Sequence, residues 1–447
     1  MTSLPLVSVV MPSLNQAQFI EQSVRSVLEQ SYENIELIVV DGLSTDGTLE
    51  LLVELQKEFM GRLQWVSQKD TGPAQALNHA ISLAKGEIIG WLNSDDLYLP
   101  SAVVRAVDHF EVNAQHQMVY GFGQHIGPTG QSLGEYPTKP PSSPMDTFLE
   151  GSFICQPTVF MRAKALQQVG VLDETIATAF DFDLWIRFFK RFPRQIGLIR
   201  RMQACSRLHP ACLTKRQRKQ VAIDGVRVIT KHLGPAPEHW FWTHVDEMCE
   251  NHPFTAESLP LTKQLENFLI EIRPYVEAER FKQFIEKLKQ DYRFGLSNPQ
   301  LFATVQPDGW VSKKVQIKYK WEGKPATSVI LVCNANWPVA GKMRLKVLTP
   351  TGAIQRSVVD CPSEFALSFD VPQEQTSGAM MWTVETDQSF MPSKYDKTSN
   401  DSRKLSFRVT GLRLQNPPAQ TPSPASASAP ASASMPARAA EATAVGA

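Results

Sequence analysis

The sequence predicts an α/β protein with a mostly parallel central sheet, followed by a helical segment and a C-terminal β-sandwich. Three observations carry that expectation. In the first third, strand-length apolar runs alternate with helix-period apolar stripes, the pattern of a parallel sheet covered by helices. Each polar loop there follows a strand, so the loops gather on one rim, where open α/β sheets hold ligands. From Thr304 to Leu414 the texture changes to short alternating strands with turn residues between them.

The first strand is Leu6 to Met11, apolar and β-branched; Pro12 stops it and the loop Pro12-Ser13-Leu14-Asn15 follows. Phe19, Ile20, Val24, Val27 and Leu28 form the apolar stripe of a helix. Ile35 to Val40 is a second strand, ending in Asp41-Gly42-Leu43-Ser44-Thr45-Asp46-Gly47-Thr48. Gly42 and Gly47 permit a tight turn there, and Asp46 or Thr48 caps the helix Leu49 to Phe59. Leu63 to Ser67 is a short third strand and Pro73 to Ala84 a helix with Ala76, Leu77, Ala80, Ile81 and Leu83 inward. Ile88 to Leu92 is a fourth strand, followed by Asn93-Ser94-Asp95-Asp96 and a helix from Ser101.

Ile88-Ile89-Gly90-Trp91-Leu92 has no polar residue, as expected of a strand buried on both faces. Two adjacent carboxylates at its end are costly if buried unpaired, and become reasonable if a cation and an anionic ligand arrive there. By itself the run reads equally well as a strand-to-helix turn with Asp as cap. No Gly-x-Gly-x-x-Gly and no Gly-x-x-x-x-Gly-Lys-Ser/Thr run is present, so neither a dinucleotide fingerprint nor a P-loop is indicated.

The chain has 447 residues, 43% of them hydrophobic, too long for one ordinary domain. Its 45 basic and 45 acidic residues balance, which argues against a nucleic-acid binder. Six cysteines, Cys155, Cys205, Cys212, Cys249, Cys333 and Cys361, are scattered without CxxC spacing. That argues against a zinc module or disulfide scaffold and fits reduced thiols in a cytoplasmic protein. The start lacks the basic region and long apolar core of a signal peptide, and no apolar run is long enough to span a bilayer.

VSVVMPSLNQAQFIEQSVRSVLEQSYENIELIVVDGLSTDGT, together with KDTGPAQALNHAISLAKGEIIGWLNSDDLYLP, resembles the family 2 inverting glycosyltransferases, and the likeness extends over roughly Leu6 to Thr214. The resemblance implies a GT-A fold, a nucleotide-diphosphate-sugar donor and a Mg²⁺ or Mn²⁺ ion held by a DxD-like motif. Carried over to this chain, Pro12, Ser13 and Asn15 match the first nucleotide loop, and Asp41 the carboxylate at the base or ribose. Asp70 and Asn78 match polar positions beside nucleotide and sugar, and Ser94-Asp95-Asp96 the metal motif, with Asp96 the direct ligand and Asp95 beside it. The sequence departs from the pattern at Leu43, where a small residue is common, and at His79, where lysine is frequent.

Beyond these motifs, Met118 to Phe122 and Phe153 to Met161 read as strands, Pro137 to Pro144 as an irregular loop, and Arg162 to Val169 as a helix. Gln156-Pro157 resembles a family position lining the acceptor side. In Ala179-Phe180-Asp181-Phe182-Asp183-Leu184-Trp185-Ile186-Arg187, the apolar stripe Phe182, Trp185, Ile186 and Phe189 marks a helix, with Asp181 at its start, where a carboxylate is favoured. By resemblance Asp181 is the general base, although Phe180 replaces the acidic residue that often precedes it; as a sequence feature alone it is a helix cap. Arg207-Leu208-His209-Pro210 resembles the family's closing segment, where Arg207 or His209 reaches the diphosphate.

The pattern is helical from Lys215 to about Asn298. Its basic run, Lys215 to Lys219, reads as a solvated helix face or as a peripheral contact with an anionic membrane surface. The domain expectation is a GT-A domain over 1–225, a helical extension over 226–300, a β-sandwich over 301–414 and a disordered Pro/Ala/Ser-rich tail over 415–447. The functional expectation is metal-dependent, inverting sugar transfer to a glycan, lipid-linked or other hydroxyl acceptor in surface polysaccharide synthesis. The alternatives are a carbohydrate-binding protein with a decayed transferase site and a nucleotidyltransferase; Ser13-Leu14-Asn15-Gln16 lacks the Gly-rich, basic phosphate loop the latter would want.

Overall fold

The computed structural model describes residues 4–251, 259, 261–291, 293, 300–323, 325–338, 340–374, 377–396 and 398–415. At the centre of its first sheet is β1 (Val7–Ser13), buried along its whole length. It pairs in parallel with β2 (Ile35–Asp41) and β4 (Ile88–Trp91), and β2 pairs in parallel with β3 (Leu63–Ser67). The sheet continues with β5 (Leu97–Tyr98), β6 (Met118–Ile126), β7 (Ser132–Glu135), β8 (Phe160–Arg162) and β9 (Ile196–Arg207), in the order β3-β2-β1-β4-β8-β6-β9-β5, with β7 on β6. Strands β5, β7 and β8 run against the others, so the sheet is mostly parallel. The register sets Ser13 beside Asp41 and Asp41 beside Ser67, which places the carboxyl ends of the first three strands on one rim.

Side-chain alternation along each strand divides the interior into two layers. Val7, Val9 and Met11 face one core with α1 (Ile20–Leu28), α2 (Thr48–Glu58) and α4 (Ala102–Val112). Val10, Ile38 and Trp91 face the other, with α3 (Pro73–Leu83), α5 (Ala163–Val169) and α6 (Phe180–Arg191). At Gly90 the backbone runs so close to its neighbours that a Cβ would sit 2.7 Å from the Tyr98 hydroxyl and 2.9 Å from the Phe160 ring.

Several local expectations give way. Pro12 does not end β1, which stays paired with β2 through Ser13. The strand expected from Phe153 to Met161 is a short 3₁₀ turn, Gln156–Thr158, before β8. Pro157 has no N–H to give a ladder, and the Gln156 amide instead donates to the Trp91 carbonyl at 2.9 Å, beyond the end of the β4–β8 pairing. Cap geometry also differs at α2: Gly47 takes the N-cap in a left-handed conformation, while Asp46 Oδ1 accepts from the Thr48 N–H at 3.1 Å.

Next come α7 (Leu213–Arg216), α8 (Arg218–His232), α9 (His239–Asn251), α10 (Leu261–Ile272) and α11 (Ala278–Lys289). The expected boundary at residue 225 falls inside α8, whose Val226, Val228 and Ile229 are buried in the same core as Trp91 and Trp185. That core continues through Phe241, Phe268 and Phe284 to Phe302.

The C-terminal region comprises β10 (Leu301–Ala303), β11 (Trp310–Val311), β12 (Lys314–Glu322), β13 (Ser328–Ala335), β14 (Gly341–Leu348), β15 (Ile354–Cys361), β16 (Ser363–Asp370), β17 (Ser377–Thr386) and β18 (Phe407–Gln415). They form two sheets, β10-β12-β17-β14-β15 and β11-β18-β13-β16, antiparallel in every pairing, with Val315, Ile317, Leu331, Trp382 and Phe407 in a core of their own. The strand expected from Leu405 to Val409 begins at Phe407, because Leu405 bridges to Phe390 instead. The Pro/Ala/Ser-rich stretch from Pro417 to Ala447 lies outside the described residues.

Candidate active site

The rim opens into a cleft of about 720 Å³. Of the residues singled out from sequence, Pro12, Ser13, Asn15, Asp70, Ser94, Asp95, Asp96, Asp181, Arg207 and His209 all line it. Ser13 is buried, yet its Oγ has no hydrogen-bond partner among the described residues. Asn15 sits in a left-handed conformation, φ 52°. There its N–H donates to Ser44 Oγ at 2.7 Å and its Oδ1 accepts from the Thr45 N–H at 2.9 Å, tying the first loop to the second.

Asp41 and Asn78 are not brought to the cleft. Asp41 is fully buried, and its carboxylate accepts from the Ser44 N–H at 2.9 Å, from Ser44 Oγ at 2.5 Å and from Ser67 Oγ at 2.9 Å. It organises the turn that follows β2. Asn78 donates to the Leu172 carbonyl at 3.0 Å and to Glu174 at 2.8 Å, and accepts from the Leu172 N–H at 3.0 Å, fixing the loop after α5 to α3. Asp70 does face the cleft; burial raises its carboxyl above the ordinary carboxylate range, and its Oδ1 accepts from the Gly72 N–H at 3.0 Å. A Cβ at Gly42 would come within 2.9 Å of Asp70 Oδ2, so a larger residue there would make that carboxylate shift.

The acid pair is held by the end of β9. Asp96 is 3% exposed; its Oδ1 accepts from the Arg207 N–H at 2.7 Å and its Oδ2 from the Asn93 amide at 3.0 Å. Burial, reinforced by the neighbouring Asp95 charge, pushes the Asp96 carboxyl well above its usual range. Asp95 Oδ2 lies 2.9 Å from His209 Nε2. The Arg207 guanidinium is spent on structure: Nε donates to the Asp95 carbonyl at 2.7 Å, Nη1 to the Gly127 and Pro128 carbonyls, and Nη2 to Gln22 at 3.1 Å. It also lies 4.7 Å above the Phe19 ring.

Among the described residues no cluster of three or more His, Cys, Asp or Glu side chains could hold a metal by itself. Two hard carboxylate donors, one of them buried against its own charge, nevertheless fit a divalent cation that takes its remaining ligands from water and phosphate oxygens.

Asp181 lines the cleft at the first turn of α6, and Phe180, before it, stacks on Trp91 at 5.7 Å. Its Oδ1 accepts from the Phe182 N–H at 2.8 Å. Burial outweighs that bond and raises its carboxyl to about 6. Two residues on, Asp183 is fully buried and faces away from the cleft lining. It accepts from Arg187 Nε at 2.7 Å, Lys231 Nζ at 3.0 Å and His232 Nε2 at 2.7 Å. Hydrogen bonds from these partners and the Arg187 charge hold its carboxyl well below the usual range despite burial.

Sequence reasoning missed Phe19, Asn93, His125 and Tyr136, which also line the cleft. His125 and Tyr136 face each other at 5.4 Å. Asn93 carried a weak signal beside the acid pair, but its bond to Gln156 at 2.9 Å joins positions 63 apart. His125 had none.

The family model described as "Glycosyl transferase family 2" matches residues 8–170. The putative glycosyltransferase EpsE of Bacillus subtilis is 33% identical over 197 residues, covering 42% of this chain and 69% of that one. The chain belongs to glycosyl transferase family 2. A second relative, the putative teichuronic acid biosynthesis glycosyltransferase TuaG of the same organism, is 30% identical over 190 residues, covering 42% of this chain and 73% of its own. An uncharacterized glycosyltransferase of Rickettsia conorii is 30% identical over 196 residues; there the match takes 42% of this chain and only 32% of the relative. The chain thus spans about a third of the length of that relative. The family model's match ends at residue 170, before the helical extension and both C-terminal sheets, and no described helix is long and apolar enough to cross a membrane.

Proposed function

We propose that this family 2 glycosyltransferase transfers a sugar with inversion from a nucleotide-diphosphate donor to a hydroxyl of a growing polysaccharide. The observation that carries the reading is the opposition of two acidic centres in one cleft. Asp95 and Asp96 sit at the end of β4, and Asp181, raised to about 6, sits at the start of α6.

In this reading the nucleotide occupies the rim loops around Pro12, Ser13, Asn15 and Asp70. Mg²⁺ or Mn²⁺ would be held by Asp95 and Asp96, and when bound it would supply positive charge for the departing diphosphate. His209 orients Asp95 through Nε2, and Arg207 fixes both the Asp96 carboxylate and the Asp95 carbonyl; the Arg207 guanidinium would have to rearrange to reach the diphosphate. Asp181 takes the proton of the acceptor hydroxyl as its oxygen bonds to the anomeric carbon. The bond from that carbon to the diphosphate breaks in the same displacement, and nucleoside diphosphate leaves from the opposite face. A base near 6 is deprotonated at neutral pH and still basic enough to assist. The polysaccharide acceptor rests on the kinship with TuaG, whose name places it in teichuronic acid biosynthesis.

The test is a screen of UDP-, GDP- and dTDP-sugars with Mn²⁺ and oligosaccharide acceptors, reading nucleoside diphosphate release, repeated after chelation. We expect release with at least one donor and its loss on chelation. Pyrophosphate release would instead indicate nucleotidyl transfer, and indifference to every sugar nucleotide would indicate a glycan binder.

A further inference from the structure

We infer that two copies of this chain associate through β15, pairing edge to edge in antiparallel fashion about a two-fold axis at Val358. β15 closes one side of the five-stranded sheet and has a neighbour only in β14. It is eight residues long, pairs with β14 without a register shift and contains no proline. Those are the properties of an edge strand able to accept another strand. Ile354 and Val358 are 46% and 59% exposed, and Leu348, opposite Ile354 on β14, is 41% exposed.

Charge decides the occupant. The β14 register puts Ile354, Arg356, Val358 and Asp360 on the solvent face of the sheet, opposite Leu348, Lys346, Arg344 and Lys342. Arg356 has no ion-pair partner among the described residues, and Asp360 meets Lys342 only at 3.8 Å, both side chains being largely exposed. In an antiparallel pair centred on Val358, each Arg356 falls directly opposite the Asp360 of the other copy, and the two Val358 side chains meet at the axis. Directly opposed cross-strand residues of opposite sign stabilise a sheet and like signs destabilise it. The charges that would normally guard such an edge are here self-complementary.

The other edges lack this property. β16, an edge of the four-stranded sheet, carries Glu364 and Asp370, so an antiparallel copy that set one against the other would oppose acid to acid. β10 and β11 have three and two residues. A glycan is a poorer occupant, because the exposed side chains around β15 are aliphatic or charged and supply no ring for a sugar to stack on.

The experiment is light scattering on the full chain across a concentration series. The wild type should reach twice the chain mass. Arg356→Asp and Asp360→Arg each set like charges opposite one another twice per dimer, and each should weaken association about tenfold or more. Mixing the two single variants should restore a dimer, as should the double variant, because the opposite-sign pairs re-form. Val358→Lys, which sets two ammonium groups at the axis, should yield monomers with an unchanged circular dichroism spectrum. A wild type that stays monomeric at every concentration would overturn the inference. So would a dimer indifferent to these substitutions, or failure of the mixed variants to pair.

Discussion

Asp181 and Asp183 lie two residues apart on one helix and are pushed in opposite directions. Asp181 loses water and gains only backbone N–H bonds, so its charged form is disfavoured and its carboxyl rises to about 6. Asp183 is also buried but gains three cationic or imidazole donors, so its charged form is favoured. Environments that separate two carboxylates in this way mark the one poised to exchange protons. We therefore expect kcat/KM for transfer to rise about tenfold per pH unit below about 6, as Asp181 deprotonates, and to level off above it; a profile flat from pH 4.5 to 7.5 would contradict the assignment. The place of Asp181 at the start of α6 was legible, because a carboxylate at a helix start is a local signal. The sequence could not show how Asp41 is held, because nothing local says that Ser67, 26 residues on, will donate to that carboxylate. Leu43 is a second local clue. It occupies a left-handed φ of 65°, which explains why a smaller residue suits the position.

At the scale of elements, α6 is set by what holds its first turn. Arg187 joins Asp183 to the carbonyls of Val169, Gly170 and Val171 at the end of α5. Lys231 and His232 bring the end of α8 to the same carboxylate. Replacing Asp183 with Asn leaves three donors facing a buried neutral amide, and should destabilise the protein by about 3 kcal/mol. Chemical denaturation would measure it, and a loss below ~0.5 kcal/mol would show the network to be dispensable. The folded Asp183 carboxyl is depressed, so its contribution is fully present above the unfolded carboxyl's value, near ~4, and is lost as pH falls towards the folded one. The wild type should therefore lose more stability on acidification below ~4 than Asp183→Asn does. The helix itself was legible from the spacing of Phe182, Trp185, Ile186 and Phe189. Its anchoring was not, because the partners are 48 and 49 residues away.

Over the whole molecule, the sheet, α6 and the helical extension share one core that runs from Val10 to Phe302, while the two C-terminal sheets enclose another. Calorimetry should resolve two transitions, with the helical extension melting together with the catalytic sheet. Deleting 304–447, which spares Phe302, should leave the first transition near its original midpoint, and ending the chain at 225 should abolish it. The alternation of strands and helices, the loops on one rim and the change to β texture after Thr304 were readable, because period and composition are local properties. The union of the helices with the catalytic core was not, since stripes such as Phe268 and Phe284 do not name the surface they bury against. The most direct measurement of the central claim is donor binding and sugar transfer by Asp181→Asn, made side by side. We expect sugar-nucleotide affinity within about twofold of wild type and transfer reduced by about 10²- to 10⁴-fold; undiminished transfer would contradict it.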